Sequence, residues 1–238
     1  MGQNRRENLS SVRTDSEALS LSHTVRSSFS VGILTSNVSV SRKRVATEAA
    51  NLLYNGVEKE YKQAKLKAAK TFGLHYMPTN IEVVMELDRI AEEIEGPARQ
   101  ERLVKLRKKA LQLMKILRKY DPILVGSVWR GTIHRGSDVD IITHHEEPTE
   151  VLRALEHTEL KVENAEWVNI TKRGKKKASF HIHALSPLKE QFEIIVHSPE
   201  EACLKEKCEI YGDEIAGLSI DKLEKVLAQN PLQRFVPF

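Results

Sequence analysis

Two aspartates one residue apart, Asp138 and Asp140, in the run Gly136-Ser137-Asp138-Val139-Asp140-Ile141-Ile142, stand out in this 238-residue chain for the chemistry they could do. On an extended strand, positions i and i+2 share a face. Both carboxylates then project together while Val139 and Ile141 point into a core. Like charges held this closely are unfavourable unless a cation neutralises them, and hard carboxylate oxygens suit Mg²⁺ or Mn²⁺. Taken alone, the run could equally be a polar strand edge. A feature upstream shifts that balance. Gly126 ends the short apolar stretch before it, and a glycine there lets the backbone turn closely around a ligand, with the following N–H groups free to face phosphate oxygens. Ser127 adds a hydroxyl at the same spot. Arg130, one helical turn further, could reach the same anion or form a surface ion pair.

Elements that would position these groups follow from apolar periodicity. After Asp121 and Pro122 the chain takes on strand texture at 123–125, 139–143, 167–171, 180–184 and 192–196, a small sheet-based domain. A short helix is expected over 148–157, and another over 219–228 with Ser219 as its cap. Pro237 and Phe238 are expected to leave a frayed end.

Three helices precede the sheet. From Val45, the residues Ala50, Leu53, Val57, Tyr61, Ala64 and Ala68 share one face, with Gly73 as a stop. Pro78 and Thr79 or Asn80 open a second helix, striped by Val83, Leu87, Ile90 and Ile94 and interrupted at Gly96 and Pro97. A third, from about Ala98 to Tyr120, carries the seam Leu103, Leu106, Ala110, Leu113 and Leu117. Its other face holds Lys105, Arg107, Lys108, Lys109, Lys115, Arg118 and Lys119, either a solvated surface or one that faces RNA. Residues 1–44 are Ser-rich, without sustained periodicity, and are expected to be a disordered tail. The expected organisation is therefore a tail (1–44), a helical region (45–120), a catalytic domain (121–200) and a C-terminal helical segment and tail (201–238).

Composition excludes several classes. Apolar residues are 40% and charged residues 29%, ordinary for a soluble globular protein. No run approaches the roughly 18 apolar residues of a membrane span, so no membrane association is expected. The two cysteines, Cys203 and Cys208, suit neither a disulfide framework nor a zinc finger and point to a reducing, cytoplasmic compartment. Lys and Arg number 37 against a net charge of +4, so basic patches can coexist with acidic ones.

The Gly126-Ser127 turn, the eleven positions from Ser127 to Asp138 and the Asp-x-Asp pair flanked by β-branched residues together resemble the polymerase-β-like nucleotidyltransferase superfamily. With Arg130-Gly131-Thr132 and Ser137 included, the likeness is to archaeal-type CCA-adding enzymes and minimal nucleotidyltransferases. It covers about a third of the chain.

The resemblance implies an α+β fold, a small mixed β-sheet with helices on one face, preceded here by a helical hairpin or bundle. It also implies a third carboxylate from a later strand, where Glu193 in Gln191-Phe192-Glu193-Ile194-Ile195-Val196 matches, although Asp is commoner there. Asp138, Asp140 and Glu193 would then be catalytic and hold two Mg²⁺ or Mn²⁺ ions. Glu193 would help deprotonate an attacking hydroxyl, and Gly126, Ser127 and Arg130 would hold the phosphates. The implied reaction moves a nucleoside monophosphate from a nucleoside triphosphate to a hydroxyl acceptor, RNA or tRNA being favoured over a protein or small molecule. The competing reading is a non-catalytic nucleotide- or RNA-binding regulator, such as an antitoxin-like minimal nucleotidyltransferase.

Other residues carry weaker signals. His144 and His145 follow the catalytic strand. His181 and His183 alternate on another, where two imidazoles facing one way could bind a transition metal or hydrogen-bond a phosphate or sugar. Lys172, Arg173, Lys175, Lys176 and Lys177 surround Gly174 as a basic hairpin tip, a solvated turn or a phosphate-tracking one. Trp129 and Trp167 are isolated and expected to be packed.

Overall fold

Alternating apolar positions build one five-stranded sheet. In a computed structural model, described for residues 40–172, 175–204 and 206–237 with the side chains of 170–177 excepted, the strands are β1 (Ile123–Val125), β2 (Val139–His144), β3 (Lys161–Lys172), β4 (Lys175–Leu185) and β5 (Gln191–His197). Their order in space is β1-β2-β5-β4-β3. β2 and β5 are parallel, and the other neighbours are antiparallel, so the sheet is mixed. The Ser-rich stretch 1–39 and the tip of the basic hairpin lie outside the described residues.

The helices are α1 (40–54), α2 (Tyr61–Thr71), α3 (Asn80–Glu95), α4 (Pro97–Ile116), α5 (Gly126–Arg130), α6 (Pro148–Leu155) and α7 (Ile220–Gln229). The chain is thus an α+β protein with its mixed sheet preceded by helices. Thr79 opens α3 with a capping box, its side chain and that of Glu82 each accepting from the other's backbone N–H.

The single helix expected from Val45 to Gly73 is two. Gly56 adopts φ +68, and the N–H groups of Gly56 and Val57 return to the carbonyls of Leu53 and Leu52. A left-handed glycine after the last turn closes a helix in this way. The apolar spacing stays in phase across the break, which is why periodicity alone joins the two. The third helix also ends early, at Ile116, followed by one 3₁₀ turn over Arg118–Tyr120.

Buried apolar residues form two clusters. One joins α1, α2 and α3 through Val45, Ala49, Leu53, Ala68, Val83 and Leu87. The other joins Val139 and Ile141 of β2 and Phe192 and Ile194 of β5 to Leu106 and Leu113 of α4, Leu155 of α6 and Leu223 of α7. The seam of α4 therefore faces the sheet rather than the preceding helices. Each such side chain contributes about 1.5–3 kcal/mol on full burial, so α4 is anchored to the sheet along its length.

On the basic face of α4, Lys105, Lys108, Lys115, Arg118 and Lys119 are exposed, as a solvated or RNA-facing surface requires, and Arg107 is the buried exception. Arg107 is 0% exposed. Its guanidinium donates to the carbonyls of Val128 and Trp129 in α5 and of Pro231 and Gln233 near the C-terminus. Lys105 and Lys109 both pair with Glu190, and Lys115 pairs with Glu224. The C-terminal segment is docked as far as Phe235, whose ring stacks on Trp129; of the end expected to fray, Phe238 lies outside the described residues. Trp129 is packed as expected, but Trp167 is 57% exposed on β3 and touches only the edge of Phe180 among aromatic rings of the described residues.

Candidate active site

Register across the sheet assembles the site. Val125 of β1 pairs with Asp140 of β2, Asp140 with Glu193 of β5, and Glu193 with His183 of β4. One row of residues therefore crosses four strands. The alternation of β2 buries Val139 and Ile141 completely and leaves Asp138 and Asp140 on the opposite face. Glu193 lies on that same face, and one carboxylate oxygen from each of Asp138, Asp140 and Glu193 falls within 4.8 Å of the other two. The three acids singled out in the sequence are thus brought together from two strands.

Their electrostatics are strained. Burial pushes the Asp140 carboxyl well above its usual range, and the charges of Asp138 and Glu193 push it further. Asp138 is raised by burial and by Glu193. Among the described residues, neither aspartate forms an ion pair with a lysine or arginine. Glu193 shifts the other way: the hydrogen bond to His181, the largest influence on it, holds it below the usual carboxylate range despite its burial. His181 Nδ1 lies 2.6 Å from Glu193 Oε1, and His181 Nε2 lies 2.8 Å from Ser179 Oγ. Hard oxygen donors that repel one another, with no lysine or arginine paired to either aspartate among the described residues, fit a divalent cation.

Gly126 follows β1 directly with φ +68, and a side chain at this position would collide with the Asp140 carboxylate. Ser127, next in the turn, has its Oγ buried and without a hydrogen-bond partner among the described residues. Gly126 and Ser127 open onto a cavity of about 330 Å³, which is also lined by His181, Leu87, Tyr61 and Tyr211. That is within the size range of small-molecule sites. Burial raises both Tyr61 and Tyr211 above the usual phenol range.

Arg130 also borders this cavity, but its guanidinium is occupied. It donates to both carboxylate oxygens of Asp213 (3.1 and 2.7 Å) and to the carbonyl of Phe235 (2.9 Å). It also lies between the rings of Trp129 and Tyr211, 4.4 and 4.2 Å from their centroids. Of the two alternatives from sequence, the ion pair is present but buried rather than on the surface: the side chain is 4% exposed and ties α5 to the C-terminal segment.

Sequence reasoning did not find Ser179, Tyr61 or Tyr211. Ser179 shares the alternation of His181 and His183 on β4, which is a usable signal. The tyrosines come from segments that no local pattern links to the site. Alternation alone makes His181 and His183 a facing pair, yet their shared neighbour Glu193 emerges only from strand pairing.

The nucleotidyltransferase domain model matches residues 103–224, just over half of the chain, and the chain belongs to that family. It carries a nucleotidyltransferase-type catalytic domain with side-chain groups able to coordinate metal. The matched span begins within α4, in keeping with the packing of that helix on the sheet. No curated protein matches the chain. Among solved structures, the GLD-2/RNP-8 complex is similar at 12% identity and a TM-score of 0.31, over 51% of this chain and 38% of the other. A cytoplasmic RNA terminal U-transferase is similar at 17% and 0.28, over 49% and 34%. The noncanonical poly(A) polymerase complex GLD-2–GLD-3 is similar at 13% and 0.30, over 51% and 41%. This chain therefore spans less than half the length of those it matches, and at these scores the family assignment rests on the domain model. No described helix is long and apolar enough to cross a membrane.

Proposed function

We propose that the protein is a metal-dependent nucleotidyltransferase that moves a nucleoside monophosphate from a nucleoside triphosphate onto a hydroxyl acceptor, releasing pyrophosphate. The observation that carries this reading is the convergence of Asp138, Asp140 and Glu193 beside the Gly126-Ser127 turn. Asp138, Asp140 and Glu193 would hold Mg²⁺ or Mn²⁺, which supplies charge neutralisation at the entering and leaving oxygens of an in-line displacement. The acceptor oxygen bonds to the α-phosphorus as the bond to the bridging oxygen of pyrophosphate breaks, and the acceptor proton passes to Glu193. His181 keeps Glu193 ionised and oriented. Ser127 Oγ, otherwise unpartnered, donates to the triphosphate, and the cavity beside it takes the nucleoside between Tyr61 and Tyr211. Arg130 acts indirectly, by fixing α5 against Asp213 and Phe235.

An RNA 3′ end is the acceptor we favour, on the excess of basic residues and on the likeness of Gly126-Ser127 and Ser137-Asp138-Val139-Asp140 to archaeal-type CCA-adding enzymes. A cytoplasmic setting accords with two free thiols, Cys203 and Cys208. The test is transfer of label from each α-labelled nucleoside triphosphate, with Mg²⁺ or Mn²⁺, onto tRNA, bulk RNA or protein. Transfer should occur with the native chain and vanish in Asp138→Asn and Asp140→Asn. Metal-dependent nucleotide binding without transfer would replace this reading with that of a regulatory nucleotide-binding module.

A further inference from the structure

We infer that His181, His183 and Glu193 form a second metal site, one for Zn²⁺ or a similar transition-metal ion, which shares Glu193 with the carboxylate group and withdraws it when filled. The three side chains offer one ligand atom each, all within 4.8 Å of one another. His183 Nε2 is 4.0 Å, and His181 Nδ1 2.6 Å, from Glu193 Oε1. Ligand atoms around a tetrahedral zinc with Zn–N near 2.0–2.1 Å lie about 3.3 Å apart, so modest rotamer changes close the site.

The surroundings suit that ion. Two imidazoles and one carboxylate are a zinc donor set, whereas Mg²⁺ prefers oxygen alone and is served by Asp138, Asp140 and Glu193. Strand geometry presents both histidines on one face of β4 and sets Glu193 directly opposite His183 on β5. Ser179 Oγ meets the other nitrogen of His181 at 2.8 Å. An imidazole that ligates through Nδ1 needs an acceptor for its Nε2–H, and Ser179 provides one, fixing both tautomer and ring orientation. The side chain of His183 is 43% exposed, which gives an ion a path in.

Occupancy at this second site would bind Glu193 through the oxygen that now faces His181 and add positive charge beside Asp138 and Asp140. Zinc would therefore oppose Mg²⁺ at the neighbouring group. Binding itself does not depend on the proposed transferase reading; only the inhibitory consequence rests on it.

The experiment is a titration of the metal-free full-length chain with Co²⁺, followed by its tetrahedral absorption band, and with Zn²⁺ in competition with a chromophoric chelator. One ion should bind per chain. His181→Ala and His183→Gln should each weaken Zn²⁺ at least about tenfold while circular dichroism stays native. Asp140→Asn should leave Zn²⁺ affinity within about twofold. Affinity indifferent to both histidines, or lost as fully in Asp140→Asn, would overturn the site. In the transfer assay at fixed Mg²⁺, zinc should inhibit the native chain and inhibit His183→Gln less. Absence of any transfer before zinc is added would count against the transferase reading alone, since the titration decides the site independently.

Discussion

The backbone of Gly126 lies against the carboxylate of Asp140, so closely that an added Cβ would overlap the carboxylate and lie 2.7 Å from its Cγ. The contact follows from pairing: Val125 stands opposite Asp140, and the chain turns with φ +68 at the very next residue. The phosphate-side turn and the metal-side carboxylate are thus held by one contact.

Gly126→Ala should damage the site twice over. Alanine in the left-handed region costs about 1–2 kcal/mol, and its methyl group must displace Asp140. We expect transfer to fall more than about 100-fold, as misplacement of a reacting group by an ångström can do. The variant should remain folded by circular dichroism, and only a modest loss in kcat would show that Asp140 tolerates the shift.

Asp140→Asn should raise the melting temperature of the metal-free protein. The folded-state pKa of Asp140 is raised, so between its unfolded and folded values the native state holds the extra proton. Stability then falls as pH rises through that window and stays reduced above it. An amide removes the repulsion with Asp138 and Glu193, and for a chain of this size each kcal/mol relieved adds about 2–4 °C. The same change should abolish the thermal shift on adding Mg²⁺ or Mn²⁺, which at 100 times Kd is worth about 2.7 kcal/mol in the native chain. Scanning calorimetry with and without metal reads both. In the native chain, protons should compete with the metal, so the thermal shift should shrink as pH falls through the raised pKa values of Asp138 and Asp140.

His181→Ala should move the acid limb of the pH–rate profile upward. Glu193 is held below its usual range first of all by the His181 hydrogen bond. Its sign is opposite to that of the aspartates: the stabilisation is present above the unfolded pKa and is lost as pH falls through the lower folded one. Without His181 the carboxylate protonates at higher pH, and kcat should begin to drop there. An acid limb that does not move would remove Glu193 as the group it reports.

Arg107→Met should destabilise the fold by at least about 3 kcal/mol in urea denaturation, because the buried carbonyls of Val128 and Trp129 and the partly buried ones of Pro231 and Gln233 lose their donor together. Burial lowers this guanidinium to about 10, still charged at neutral pH. Little destabilisation would mean that water replaces the arginine.

Arg130→Lys separates structure from phosphate binding. Lysine cannot reproduce the two-pronged bond to Asp213 together with the stacking on Trp129 and Tyr211. The melting temperature should fall, with the KM for the nucleoside triphosphate changed less than about threefold. A tenfold rise in KM with an unchanged melting temperature would restore Arg130 to the phosphates.

Much of this protein is legible from local sequence because the information is local. Asp138 and Asp140 share a face by the two-residue period of a strand, and Val139 and Ile141 must then be core. The five strands, the helix at Pro148–Leu155 and a start of α3 at Thr79 or Asn80 follow from alternation and proline position. Periodicity could not see the break at Gly56, since a left-handed turn left the apolar stripe in phase. It could not tell that α4 packs on the sheet, because a seam does not name its partner. A basic face looks alike whether it meets water or, as at Arg107, a row of carbonyls brought from beyond residue 230.

Sequence by itself determined which residues could act, since carboxylate, hydroxyl and imidazole chemistry and strand alternation are properties of residue type and spacing. Tertiary structure decided which of them meet. Parallel pairing of β2 with β5 sets Glu193 beside Asp140, and antiparallel pairing with β4 gives Glu193 two histidines. Those registers are long-range choices, stabilised by the burial of Val139, Ile141, Phe192 and Ile194 on the far face. A slip of one residue would send every one of these side chains to the wrong side.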